Sequence, residues 1–300
     1  MALPELKEFC LPETGGDVAS LLDKYGDSAL IVAGGTFIHG LEARGFLSGV
    51  EALIDLRKLG LDTIRPEKGG TRVGATVKFA ALKQLPDIST PAYGALRDAL
   101  VYPPAQILNL ATVGGSIAAS CPFFDVPAAF QVLDGSISVA GPAGERQLDL
   151  AEVYASLFEN SLAENEYIAS LLIPKQNARS GSAYLKLETN ANDLALVGVA
   201  VRITLGGGLL GKKDKISDAR VVLGGGLNGT FVRSAAAEAI LNGERASDEL
   251  FEQAGQAITG DIDPISDHRC SAEYRAAIGK LYVRRALQSA LQRLTGEMPT

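Results

Sequence analysis

The stretch ATVGGSIAAS, residues 111–120, sets a double glycine between a β-branched pair and a run of small residues. IVAGGTFIHG, residues 31–40, places another at the end of an apolar run. Neither reads G-x-G-x-x-G or G-x-x-x-x-G-K-[ST], so neither is a Rossmann fingerprint or a P-loop. Both still have the chemistry of an anion cradle. Glycine removes the Cβ, so the N–H groups of a turn can converge on one anion. The upstream turn sets the Thr36 hydroxyl beside those N–H groups, and the second adds Thr112 and Ser116. Brought together, they would clamp a pyrophosphate from both sides without a lysine, because N–H to phosphate bonds are charge-assisted. Alone, each is more simply an ordinary turn. Their pairing, with small uncharged residues following both, points to a ligand.

The 300 residues are enough for one large domain or two to three smaller ones. A hydrophobic content of 47% with 21% charged residues is that of a globular protein. The net charge of −7, without a basic stripe interleaved with aromatics, argues against a nucleic-acid partner. The N-terminal MALPELKEFCLPET has no basic segment followed by an apolar core, so no signal peptide is expected. No charge-free run reaches the ~18 residues of a membrane span. Cys10, Cys121 and Cys270 are an odd, scattered set. They make neither a disulfide framework nor a metal or iron–sulfur site, and a reducing, cytoplasmic compartment is expected. His39 and His268 are the only histidines, and no G-x-S-x-G elbow supports a triad. With no catalytic side-chain constellation and no metal site, the chemistry falls to a cofactor.

Periodicity and breakers outline the rest. A short helix is expected within 13–26, with Asp17 as N-cap and Gly26 ending it, then a strand at 29–33 running into Gly34-Gly35. A helix and a strand follow, and strand–turn–strand over 65–77 is broken at Gly69-Gly70. A helix stops at Pro103-Pro104, and a second covers 104–111. Another helix is expected at 126–133, a hairpin around 141–144, a polar loop after 151, and a strand at 167–173. Beyond it come strands, with triple glycines at 206–208 and 224–226 that read as a hairpin turn and a strand-end turn. Three helices, 234–242, 247–257 and 272–294, close the chain. The last carries Ile278, Leu281, Val283, Leu287 and Leu291 on one broad face.

Five ordered motifs carry a resemblance over essentially the whole chain. They are Ala33-Gly34-Gly35-Thr36-Phe37, Thr112-Val113-Gly114-Gly115-Ser116, and the small-residue run through Pro122-Phe123-Phe124-Asp125. The strand Glu166 to Pro174 and the helix Ser271-Ala272-Glu273-Tyr274-Arg275, followed by Val283-Arg284-Arg285-Ala286-Leu287, complete them. Together they resemble the FAD-binding medium subunit of the molybdenum hydroxylases, the family of carbon monoxide dehydrogenase and xanthine dehydrogenase. The resemblance implies an α+β fold of the VAO/PCMH (MurB-like) type. Its FAD-binding subdomains would occupy 1–57 and 58–175, and a C-terminal α+β domain with an antiparallel sheet would occupy 176–300. It implies FAD in this chain, and molybdopterin and [2Fe-2S] clusters in a large and a small partner subunit. NAD, a quinone or ferredoxin would be the external acceptor.

The resemblance also implies site residues. The two glycine stretches, with Val32 ahead of the first, would hold the pyrophosphate and ribityl region. Asp125 would lie by the ribityl and flavin end, Leu171 and Leu172 would pack on the adenine or ring portion, and Lys186 would approach the isoalloxazine. Read from their neighbours alone, Asp125 is an N-cap for the helix after it, Lys186 is a solvated strand position, and Cys121 is a buried structural thiol. The sequence departs from the family pattern at Phe37, at Ser116 and at Thr189-Asn190 before Asp193, where relatives often place serine, asparagine and an arginine pair. It lacks the four-cysteine insertion of the hydroxybenzoyl-CoA reductases. Two rival readings are a stand-alone FAD-dependent reductase or oxidase of the MurB-like superfamily and a scaffold subunit that has lost FAD. The first would need its own substrate acid and proton donor, and the second would have eroded glycine turns.

Overall fold

The computed structural model describes residues 3–85, 87–191, 193–206 and 215–296. Its three main sheets are each drawn from one stretch of chain. The first stretch runs β1 (Glu8–Cys10), α1 (Gly15–Tyr25), β2 (Ala29–Val32), α2 (Thr36–Glu42) and β3 (Ala52–Asp55). β3 lies between β1 and β2, parallel to both. Helix α1 begins a turn before the expected Asp17. Thr14 is its N-cap, and Asp17, at the third helical position, returns the bond to close a capping box.

The second stretch opens with β4 (Ile64–Glu67) and β5 (Gly70–Gly74), a hairpin broken at the glycine pair as expected. Helices α3 (Phe79–Leu82), α4 (Gly94–Ala99), α5 (Ala105–Leu110), α6 (Val113–Ala118) and α7 (Val126–Val132) follow. Then come β6 (Ser136–Gly141), β7 (Gly144–Asp149), α8 (Leu150–Val153), β8 (Tyr154–Ser156), β9 (Glu159–Asn160) and β10 (Tyr167–Pro174). The antiparallel order is β4-β5-β10-β6-β7. Two expectations are corrected here. The stretch read as a polar loop after 151 holds a helical turn and the separate β8–β9 hairpin. The second glycine stretch, read as an ordinary turn, is the first turn of helix α6, capped by Thr112.

The third stretch is an antiparallel meander of β11 (Ser180–Leu187), β12 (Val197–Leu205), β13 (Ile216–Gly224) and β14 (Val232–Arg233). Helices α9 (Ala235–Leu241), α10 (Asp248–Ala257) and α11 (Ala272–Thr295) cover it. The turn expected at the first triple glycine lies, from residue 207 to 214, outside the described residues. The second triple glycine ends β13 against a buried arginine: a Cβ on Gly226 would overlap the guanidinium of Arg275. Arg275 donates to the Leu196 and Gly225 carbonyls and pairs with Asp267 at 2.9 Å.

Shared cores join the stretches. Val18 and Leu22 of α1 pack with Tyr167 and Ala169 of β10. Phe130 of α7 belongs to a core that reaches Tyr184, Ala200 and Val222 of the third sheet. Val283, Leu287 and Leu291 seat α11 on that sheet's other side. The edge strand β11 is covered rather than left open. The Asp98 carboxylate accepts from Tyr184 N–H at 3.0 Å, and the Ser182 hydroxyl donates to the Ala92 carbonyl at 2.7 Å.

Candidate functional site

A cavity of about 690 Å³ lies where the three stretches meet. Its first wall is the β2–α2 turn. Gly35 takes φ +68° as the N-cap of α2, a conformation natural to glycine, and no side chain caps the helix. The N–H groups of Gly35, Thr36, Phe37 and Ile38 are those an α-helix leaves without intrahelical partners. Among the described residues they make no hydrogen bond. They carry the positive end of the helix, and their residues line the cavity.

The second wall departs from expectation. Val113 N–H donates to the Val77 carbonyl at 3.0 Å and Gly114 N–H to that of Ala75 at 2.8 Å. Gly115 N–H reaches the Thr112 hydroxyl at 3.3 Å, Ser116 N–H reaches the Thr112 carbonyl at 3.0 Å, and the Ser116 hydroxyl donates to the Val113 carbonyl at 2.8 Å. These donors are satisfied within the chain. The expected two-sided N–H clamp is therefore one-sided, and the second double glycine has another purpose. A Cβ on Gly114 would stand 2.6 Å from that of Ala75, so the residue allows α6 to lie on the end of β5. Gly34 does the same from the other side, where a Cβ would overlap the Leu110 carbonyl. Gly114→Val is accordingly expected to destabilise the flavin-free chain by about 3 kcal/mol or more, the upper range of overpacking. Denaturant unfolding without added FAD checks this, and an unchanged midpoint would return the residue to a purely ligand-facing role.

Asp125 and Lys186 meet at the cavity. The Asp125 carboxylate accepts from the Tyr184 hydroxyl at 2.7 Å and from Lys186 Nζ at 3.2 Å. Lys186 Nζ also pairs with Glu188 at 3.1 Å and lies 5.0 Å from the centre of the Tyr102 ring. The simpler readings of both residues fail. Asp125 sits at the start of α7 but caps nothing, and the Lys186 side chain is only 2% exposed. Burial raises the Asp125 pKa to about 6, against the opposing pull of Lys186 and Tyr184. A carboxyl with a raised folded-state pKa binds more protons folded than unfolded, so its contribution to stability falls as pH rises between the two values. Relative to Asp125→Asn, the wild-type chain is therefore expected to lose stability from the usual 3.8 to about 6 and to level off above. Unfolding midpoints across that window test this.

Of the other expected residues, Ala33, Gly34, Gly35, Thr36, Phe37, Thr112, Gly114, Gly115 and Ser116 line the cavity. Val32 packs instead with Leu3, Val50 and Leu53, and Val113 lies in the core. Leu171 is a correction: it is fully buried between Val73 and Ile137, and Leu172 is not at the cavity either. Strand β10 reaches the cavity at its beginning, through Tyr167 and Ile168. Asp193, bonded to the Thr189 hydroxyl, also lines it, whereas His39 points to solvent. Burial pushes the Cys121 thiol up to about 12, which makes it inert. Sequence reasoning missed Arg44, Tyr102, Phe124 and Phe158. Phe37 meets Phe124 edge-on at 5.5 Å and Phe158 at 6.0 Å. No cluster of three or more His, Cys, Asp or Glu residues that could hold a metal, and no helix long and apolar enough to cross a membrane, occurs among the described residues.

Largely apolar walls with an uncapped helix start on one side and a buried ion pair on another make a cleft suited to a cofactor in an α+β fold. The family follows from comparison. Residues 5–176 match the FAD binding domain in molybdopterin dehydrogenase, and residues 182–290 match the CO dehydrogenase flavoprotein C-terminal domain. The chain belongs to this family: it is an FAD-binding oxidoreductase subunit of the molybdopterin-dependent dehydrogenases. It is 32% identical over 294 residues to the 6-hydroxypseudooxynicotine dehydrogenase complex subunit alpha of Paenarthrobacter nicotinovorans, covering 97% of this chain and 96% of that one. It is 29% identical to the carbon monoxide dehydrogenase medium chain of Afipia carboxidovorans, covering 97% and 99%. A chain of carbon monoxide dehydrogenase from Hydrogenophaga pseudoflava superposes with a TM-score of 0.90 at 28% identity, covering 98% and 99%.

Proposed function

We propose that the cavity holds FAD and that the chain is the electron-transfer flavin subunit of a molybdenum hydroxylase. The observation that carries this is the set of unpartnered N–H groups at Gly35–Ile38, facing a cavity whose opposite wall is held close by Gly34 and Gly114. Those N–H groups and the Thr36 hydroxyl would receive the pyrophosphate. Ala33, Gly34, Thr112, Gly114, Gly115 and Ser116 would give it a close-fitting floor. Asp125 and Lys186 would set the charge beside the ribityl and ring portion. FAD supplies the redox chemistry when bound, and the protein's work is to hold it, orient it and shape its electrostatic surroundings.

The relatives carry the names of medium chains or of a complex subunit, which supports an assembly with two further chains. One would bear the molybdenum cofactor and hydroxylate the substrate. The other would bear [2Fe-2S] clusters and deliver electrons to the flavin here, from which they would leave to NAD, a quinone or ferredoxin. Affinity purification of the chain from its native cells tests the assembly. Molybdenum- and iron–sulfur-bearing chains are expected to co-purify, and a chain that purifies alone and turns over a substrate of its own would overturn the subunit reading.

A further inference from the structure

The tip of the β8–β9 hairpin is built from the wrong residues for a turn. Leu157 and Phe158 join the two strands, and Phe158 takes φ +64°. A turn with positive φ at its third position calls for glycine or asparagine. A bulky residue there is held against its preference, and such strain persists only where the surroundings over-determine it. They do so here. Phe158 N–H donates to the Ser120 carbonyl at 3.1 Å, and the Ser120 hydroxyl donates to the Glu159 carbonyl at 2.7 Å. Asn160 Nδ2 donates to the Ala118 carbonyl at 2.8 Å. Ser120 is itself buried with φ +44°. The hairpin is thus riveted to the C-terminal end of α6, whose N-terminal turn carries Thr112 and the glycines of the cavity wall.

The consequence is the position of one ring. Phe158 lines the cavity, remains 48% exposed, and stands 6.0 Å from Phe37 at an interplanar angle of 31°. Phe37 is itself met edge-on by Phe124 at 5.5 Å. A half-exposed phenylalanine in the cleft wall leaves part of its ring without an apolar partner, and a planar ring bound in the cleft would stack on it with an offset. We propose that Phe158, backed by Phe37, is a stacking platform for an aromatic ring system of the bound dinucleotide, and that the strain at the hairpin tip serves to aim it. This rests on the cavity being the FAD site. Phe37 then gains a role at the point where the family more often places a small hydroxyl residue.

The test uses the full chain as wild type, Phe158→Gly and Phe158→Tyr. FAD affinity is read by flavin fluorescence titration, and the thermal midpoint is read without flavin. Phe158→Gly relieves the left-handed strain, so the flavin-free protein is expected to unfold at the same or a higher temperature. Its FAD affinity is expected to fall about tenfold or more, as for the loss of one base-stacking ring. Phe158→Tyr is expected to keep both. Competition by ADP and by FMN tells which ring is stacked: a loss confined to ADP places adenine on the platform, and a loss confined to FMN places the isoalloxazine there. Unchanged FAD affinity in Phe158→Gly would overturn the platform, and so would a parallel fall in thermal midpoint, which would make the ring a structural brace. A wild-type chain that binds no FAD would instead overturn the cofactor assignment, and the platform with it.

Discussion

Gly34→Ala is expected to strip the chain of FAD and to destabilise it by about 3 kcal/mol or more, whereas Gly35→Ala is expected to cost only about 1–2 kcal/mol. The two glycines are neighbours, and their side-chain-free Cα atoms matter for different reasons. A Cβ on Gly34 would overlap the Leu110 carbonyl oxygen and stand 2.9 Å from its carbon and 3.0 Å from the Ala111 Cα. These are backbone atoms and no rotamer change relieves them, so the β2–α2 turn must retreat from the α5–α6 junction. That retreat would widen the cleft just where the free N–H groups face it. At Gly35 a Cβ would meet only Val32 Cγ1 at 3.9 Å, and the cost is the left-handed φ alone. Denaturant midpoints and flavin retention after gel filtration, measured on both variants, check the ordering. Equal effects would mean that the turn does not rest on Leu110.

Lys186→Met is the second large effect. Its ammonium is the single cation within ion-pair distance of Asp125 among the described residues, and it pairs with Glu188 as well. Removing one partner of a buried pair strands the other and costs about 3–5 kcal/mol. The stranded carboxylate has one escape, protonation, and Asp125 already titrates at about 6. The loss is therefore expected to be full near pH 8 and to shrink toward about pH 5, because a neutral carboxylic acid is far cheaper to bury than its anion. Adding Asp125→Asn is expected to recover most of the stability, since the amide can still accept from the Tyr184 hydroxyl. Unfolding free energies of the two single variants and the double variant at both pH values test this. A double variant no more stable than Lys186→Met would show that Lys186 stabilises through Glu188 or packing instead.

The elements written in local signals were legible in the sequence. Strand β2 ending at the glycines, the β4–β5 hairpin broken at Gly69-Gly70, and the long C-terminal helix all follow from periodicity and breakers. Where long-range geometry decided, local reading fell short. Asp125 looks like an N-cap because its partners Tyr184 and Lys186 lie some sixty residues on, in a strand of another sheet. Leu171 looked available, but the alternation of β10 turns it into the core, and the strand meets the cavity only at Tyr167 and Ile168. The second double glycine carried the right residues with the wrong donors, since its N–H groups are consumed by Val77, Ala75 and Thr112. The β8–β9 hairpin was invisible because its tip is Leu157-Phe158, where turn chemistry calls for glycine or asparagine. That same mismatch is the observation from which the stacking role of Phe158 is proposed.

The most direct test of the central claim, that the cleft between these three sheets is an FAD site formed by this chain alone, is the flavin content of the isolated 300-residue chain. After incubation with FAD and gel filtration, the wild-type chain is expected to elute with stoichiometric flavin, and Gly34→Ala with none. A wild-type chain that elutes colourless under conditions where it is folded would contradict the account.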